Sequence, residues 1–241
     1  MTGIVIQLLL TFFILKYVLH QDLEALGLKP TKRRLTQLIL GFSWPILYYF
    51  LFEFSVAGLV HNQYHINAHY TFTNFIRSVQ YLLRSVVYEE LIFRGVLFYI
   101  LINKIGTQKA ILISATAFGV YHWFAWQAFG NPAQMLIIFL TTGSAGYLFA
   151  MAFVKTRSMY LAAGLHFGCN CATIILFSKD KTIGLQWLVK SFSRDPVVPG
   201  VIISLFVLLI HFVGFQIVTY LWLRRWHHRC GYLMKPLDSI H

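Results

Sequence analysis

Two adjacent glutamates, Glu89 and Glu90, interrupt a stretch from Ile76 to Ile102 that otherwise reads as apolar helix. Arg94 follows Glu90 by one helical turn. An ionisable side chain at the centre of a bilayer costs roughly 2.5–3.5 kcal/mol on insertion scales, so such residues usually carry function. The chain has only eight Asp and Glu side chains. Placing two of them side by side in apolar surroundings points to chemistry at depth. Three more polar groups fall inside apolar segments: His122, His166 and Asn170. An acid, two imidazoles and an amide are the groups that water activation and oxyanion stabilisation need.

The elements that must position these groups follow from composition. The 241 residues are 58% hydrophobic and 12% charged, with a mean hydropathy of +0.65. Soluble domains carry roughly 25% charged residues, about twice this share. Apolar segments recur at about 3–19, 36–60, 75–102, 110–126, 133–154, 158–177 and 200–223, each long enough to cross a ~30 Å hydrocarbon core. The expected fold is an all-α polytopic transmembrane bundle of about seven spans, forming a single integral-membrane domain over 1–241. Segment three is long for one crossing. It fits by tilting, by kinking near Arg84 or by starting at the interface, and an eighth span stays open.

The formal charge of +12 does not indicate nucleic acid. Twelve basic residues, among them Lys29, Arg33, Lys104, Lys155 and Arg224, lie in connections on one side of a seven-span topology. Four (Lys179, Lys181, Lys190 and Arg194) lie on the other. This positive-inside pattern predicts a multi-pass cell-membrane protein with an outside N-terminus and a cytoplasmic C-terminus. The first segment lacks a basic leader and a small-residue cleavage site, which predicts a retained span. Cys169, Cys171 and Cys230 make neither a CxxC pair nor an even framework.

Helical rise places the polar groups at similar depth. Glu89 is 14 residues before Asn103, about 21 Å along a helix. His122 and Asn170 are each 13 residues past Lys109 and Arg157, about 20 Å; His166 is one turn shallower, level with Arg94. His166 and Asn170 share a helix face, as do Glu90 and Arg94. Glu89 points about 100° away from Glu90. Glu90 is therefore expected to pair with Arg94 and Glu89 to face a cavity, with Gly95 admitting a neighbouring helix.

Glu89-Glu90-Leu-Ile-Phe-Arg94 reads E-E-x-x-x-R, Phe118-Gly-Val-Tyr-His122 reads F-x-x-x-H, and His166-Phe-Gly-Cys-Asn170 reads H-x-x-x-[ND]. In this order, over about 89–170, the chain resembles the CAAX protease and bacteriocin-processing (CPBP, or Abi) family. Its members are intramembrane endopeptidases related to type II CAAX prenyl proteases. The resemblance implies a catalytic core at about 76–177 and a glutamate-dependent protease. Glu89 would be the general base for a water held near His122. His166 and Asn170 would position that water or stabilise the oxyanion, with Glu90, Arg94 and Phe118 in support. It implies membrane-associated substrates, either prenylated CAAX proteins or peptide precursors such as bacteriocins and pheromones. No cofactor is expected. A divalent metal such as zinc on Glu89, His122 and His166 is the open alternative.

Other readings compete. Glu90–Arg94 alone could be a structural ion pair, and the whole chain a non-catalytic membrane scaffold or immunity factor, or a transporter with a proton relay. His61, His65 and His69 recur every four residues but sit in a loop expected to be solvated. Glu53 is expected to pair with Arg77 or Arg84, and His211 to donate a hydrogen bond between helices. Ile183, Leu185, Trp187, Leu188 and Val189 suggest a short interfacial helix, and Gly143-Ser144-Ala145-Gly146 a small-residue helix contact.

Overall fold

The computed structural model describes residues 2–177, 186–195 and 197–226. Lys179, Lys181, Ile183, Leu185, Arg229, Cys230 and Lys235 lie outside them. The chain is a helical bundle whose elements follow the apolar segments. Helix α1 (Thr2–Phe13) continues through a π turn to Val18. Then come α2 (Lys32–Leu59), α3 (Phe72–Phe93), α4 (Val96–Ile105), α5 (Thr107–Ala125), α6 (Pro132–Thr156) and α7 (Met159–Asn170). The last of these extends as a π helix to Leu176. Helices α8 (Val201–Leu209) and α9 (Phe215–Arg224) are one rod joined by a π turn.

Among the described residues, four helical stretches are long and apolar enough to cross a membrane: Lys32–Leu59, Pro132–Thr156, Met159–Leu176 and Val201–Arg224; Thr2–Val18 is a shorter apolar helix. Helix α3 falls short because Arg77, Arg84, Glu89 and Glu90 lower its hydropathy. The exposed surface is apolar over long tracts. Ile202, Leu205, Phe206 and Leu209 on α8 are all exposed, as expected of side chains that meet lipid and not water.

Several local expectations change. Segment three does not kink near Arg84; it breaks at Arg94–Gly95, where α3 stops and α4 restarts. At Gly95 the backbone turns to φ −80°, ψ −148°, and a Cβ there would fall 2.0 Å from the Leu91 carbonyl oxygen. Gly95 therefore serves the break, not the approach of a neighbouring helix. The all-α bundle carries one short two-stranded ladder. Gln63–Ile66 (β1) pairs antiparallel with Leu188–Ser191 (β2), Gln63 opposite Ser191. Leu188 and Val189 are thus in a strand, not an interfacial helix, and His65 is in its partner. Glu53 accepts from Tyr64 Oη at 2.6 Å and lies 3.3 Å from Lys190 Nζ, so neither Arg77 nor Arg84 is its partner. Burial and the Glu53 carboxylate push the Tyr64 phenol well above its ordinary range. The His211 ring packs against Phe52 at 5.6 Å.

Two helix pairs set the core. Helices α6 and α7 form a tight hairpin: Arg157 adopts left-handed φ 54°, and Ser158 caps α7 by accepting from Tyr160 N–H. Helix α7 lies against α2 so closely that a Cβ on Gly168 would meet the Phe42 carbonyl oxygen at 2.3 Å, and one on Gly164 the Leu38 carbonyl oxygen at 2.5 Å. Gly164-x-x-x-Gly168 is a small-residue stripe of the kind that lets helix backbones touch in lipid. Across α5 and α6, a Cβ on Gly146 would press on the Phe118 ring at 3.0 Å, consistent with the small-residue contact expected there.

Candidate active site

The last turn of α3 carries the acids. Arg94 N–H closes the helix on the Glu90 carbonyl at 2.8 Å, and the side chains of the two residues pair across the same turn. Arg94 Nε donates to Glu90 Oε2 at 2.8 Å, and Nη2 donates to Oε1. Arg94 is fully buried and Glu90 is 1% exposed. Aromatic faces replace the water that the guanidinium loses: its Cζ lies 4.7 Å from the Phe118 ring centre, 5.4 Å from Phe149 and 5.7 Å from Phe93.

This pair anchors one of the imidazoles. His166, set on α7 between the two packing glycines, donates from Nδ1 to Glu90 Oε1 at 2.8 Å. Its ring stacks on Phe149 at 4.8 Å and 18°, and meets the edge of Phe118 at 5.6 Å. His122, on α5, directs Nδ1 at the Phe118 carbonyl at 2.7 Å. A carbonyl only accepts, so the proton there is on Nδ1. Both Nδ1 atoms are committed, and both Nε2 atoms are left to face Glu89. His166 Nε2 is 3.6 Å and His122 Nε2 is 4.0 Å from Glu89 Oε2.

Glu89 divides its two oxygens. Oε1 accepts from Ser85 Oγ at 2.8 Å. Oε2 is buried with no hydrogen-bond partner among the described residues. A buried carboxylate oxygen without a partner is costly, and here it stands between two ring nitrogens at separations that admit a water oxygen. The three atoms form a receptor for one water, with an acceptor on every side. Protonating either ring converts its Nε2 to a donor, which is what a developing oxyanion requires. A cavity of about 380 Å³ adjoins this point and is lined by Tyr81, Arg84, Ser85, Tyr88, Tyr121 and Glu89 with the start of α1.

Ligands bonded to zinc at about 2.0–2.2 Å lie roughly 3.4 Å apart; from Glu89 Oε2, His166 Nε2 stands 3.6 Å and His122 Nε2 4.0 Å away. Among the described residues no group of three or more His, Cys, Asp or Glu side chains is placed to hold a metal.

The structure thus brings together Glu89, Glu90, Arg94, Phe118, His122 and His166. Asn170 sits one turn beyond His166 at the end of α7, half-buried. No hydrogen bond links it to the others among the described residues. Two participants escape the motifs. Ser85 was within reach, four residues before Glu89 on the same helix face. Phe149 and His166 each lie eight residues from the Arg157–Ser158 turn, so a hairpin drawn at that turn sets them opposite each other.

The fold and the cluster define a helical membrane protein with an acid–imidazole centre built from three helices. Residues 71–172 match the family model described as type II CAAX prenyl endopeptidase, Rce1-like. This match agrees with the CPBP resemblance of the three motifs, and it spans all of α3 to α7. No curated protein and no solved structure matches the chain.

Proposed function

We propose that this protein is an intramembrane endopeptidase of the glutamate type, acting on a membrane-associated protein or peptide. The observation that carries the reading is the partnerless Glu89 Oε2 facing His122 Nε2 and His166 Nε2. A water seated there gives one proton to Glu89 as its oxygen attacks the scissile carbonyl, and keeps the other, which it donates to the Nε2 of the neutral imidazole. The other ring, protonated beforehand, donates from Nε2 to the oxyanion, and Asn170 contributes its amide once substrate occupies the cavity. Glu89, as the acid formed, returns the proton to the leaving amine. Glu90 and Arg94 act through His166, fixing which of its nitrogens faces the reaction. The water is activated directly and without a metal.

The family match supports prenylated CAAX proteins as substrates; peptide precursors such as bacteriocins or pheromones are the other class. The basic connections support an outside N-terminus and a cytoplasmic C-terminus in the cell membrane. The test is mass spectrometry of S-farnesylated CAAX peptides and of unprenylated peptide precursors incubated with purified wild-type and Glu89→Gln protein. Cleavage by the wild type alone is expected, and it should persist in chelator. Equal products from both proteins, or from neither with every peptide, would favour a scaffold that keeps the protease fold.

A further inference from the structure

The cavity beside Glu89 has one wall that this chemistry does not use. Most of its lining comes from α3 and from Tyr121 of α5, but the remaining side is closed by Gly3 and Ile4 of α1. Both lie outside the residues 71–172 that match the family, so the matched core carries the acid–imidazole centre and α1 adds this wall. Gly3 and Ile4 are half-buried, while Thr2, Val5 and Ile6 around them are exposed. That face of α1 therefore turns inward, and the contact it makes is close. A Cβ on Gly3 would stand 3.1 Å from Tyr88 Cε2 and 3.6 Å from Cδ2, and Ile4 packs against the hydrophobic core.

We propose that Gly3 and Ile4 are specificity-determining residues: they set how large a side chain the cavity admits next to the bond hydrolysed, and the substrate they select carries an aromatic residue there. The inference rests on the hydrolase reading above. Glu89 belongs to the same lining, so a side chain held in this cavity belongs to a residue beside the scissile bond. At about 380 Å³ the space is near the lower end of ligand pockets, roughly 300–1,000 Å³, and a few carbons added to its wall take up much of it. Glycine is the residue that leaves it widest. A larger side chain at position 3 has to reach past the Tyr88 ring, and the open space it meets is the cavity. Tyr81, Tyr88 and Tyr121 line the other sides. Their rings favour an aromatic guest, because offset and edge-to-face pairs gain more than their buried area alone supplies.

The test uses N-terminally fluorescent, S-farnesylated tetrapeptides in which Ala, Phe or Trp occupies each position after the cysteine in turn, with the full chain in phosphatidylcholine nanodiscs. Binding is read by anisotropy on Glu89→Gln protein, and cleavage by mass spectrometry on protein with Glu89 intact. At one position the Phe peptide is expected to bind at least about tenfold more tightly than the Ala peptide, the least that a well-formed apolar pocket gives. Adding Gly3→Leu should bring that ratio to about one while the Ala peptide keeps its affinity within about twofold. Ile4→Ala should move the preference the other way, from Phe towards Trp. Opposite shifts distinguish a wall from damage to the fold, and the Phe/Ala ratio cancels the fraction of folded protein. Val5→Leu, on the exposed side of α1, should leave the ratio unchanged. A protein that prefers Phe at no position, or a preference that survives Gly3→Leu, overturns the proposal. So does an equal weakening of both peptides, which would make α1 a structural helix only. Cleavage retained by Glu89→Gln would refute the hydrolase and leave the binding ratios to judge the wall alone.

Discussion

Replacing Arg94 by Met tests whether the Glu90–Arg94 pair is held for its charge. Arg94 is fully buried and donates twice to Glu90, which is itself 1% exposed. Met keeps much of the stem volume but leaves Glu90 Oε2 without a partner and Oε1 with only His166 Nδ1. Stranding one member of a buried pair costs about 3–5 kcal/mol, and the lost contacts with Phe118, Phe149 and Phe93 add roughly 1 kcal/mol. The double variant Glu90→Gln/Arg94→Met removes both charges and leaves His166 Nδ1 an amide oxygen to donate to. It should therefore recover most of that loss, about 2–4 kcal/mol relative to Arg94→Met, because removing a buried pair as a unit is often near neutral. Unfolding in mixed micelles titrated with dodecyl sulfate, followed by far-ultraviolet circular dichroism, reads these differences directly. Activity should not recover in parallel, because a neutral amide holds the His166 ring less firmly than a carboxylate does; kcat should stay at least about tenfold down. If the single and double variants unfold at the same point, the stabilisation does not come from pairing the Glu90 charge and the reasoning is wrong.

Four further outcomes follow from the same geometry. Gly168→Val puts side-chain atoms where the Phe42 carbonyl lies and should cost at least about 1–3 kcal/mol by overpacking, seen as a lower detergent-unfolding midpoint. The exposed Gly58, whose Cβ would meet nothing within 4 Å, should tolerate Ala in the same assay. Phe149→Leu removes the face on which His166 stacks and should lower kcat more than it raises KM, since it disturbs ring placement and not the cavity; a pure KM effect would contradict that. Ser85→Ala frees Glu89 Oε1 and should reduce kcat about tenfold or less, measured on the peptide cleaved by wild type, because the hydroxyl orients the base and does not replace it.

The sequence made the axial coordinates of the site legible and left its angular ones obscure. Helical rise alone put Glu89 and His122 at matching depth, with His166 about a turn shallower, and the structure has both ring nitrogens within 4.0 Å of one carboxylate oxygen. The Glu90–Arg94 pair was readable because i, i+4 spacing is a local property of any helix. The Glu90–His166 contact was not, since it depends on the rotation of α7 about its axis, and that rotation is set by Gly164 and Gly168 pressing on α2. The break at Arg94–Gly95 was missed for a related reason: Gly95 sits in an apolar run that supplies no turn residue other than the glycine itself, and hydropathy does not report backbone direction. The β1–β2 ladder was invisible because each strand is four residues long and its partner is more than a hundred residues away. Asn170 is the instructive remainder. Shared face and depth put it with the catalytic group, yet it is not hydrogen-bonded to that group where α7 gives way to a π helix at Cys171. A π turn shifts the phase of every side chain near it, so the carboxamide's aim is set by a feature the motif spacing does not encode. If substrate binding brings Asn170 onto the oxyanion, Asn170→Ala should lower kcat with little change in KM; an equal rise in KM would instead assign the residue to binding the bound chain.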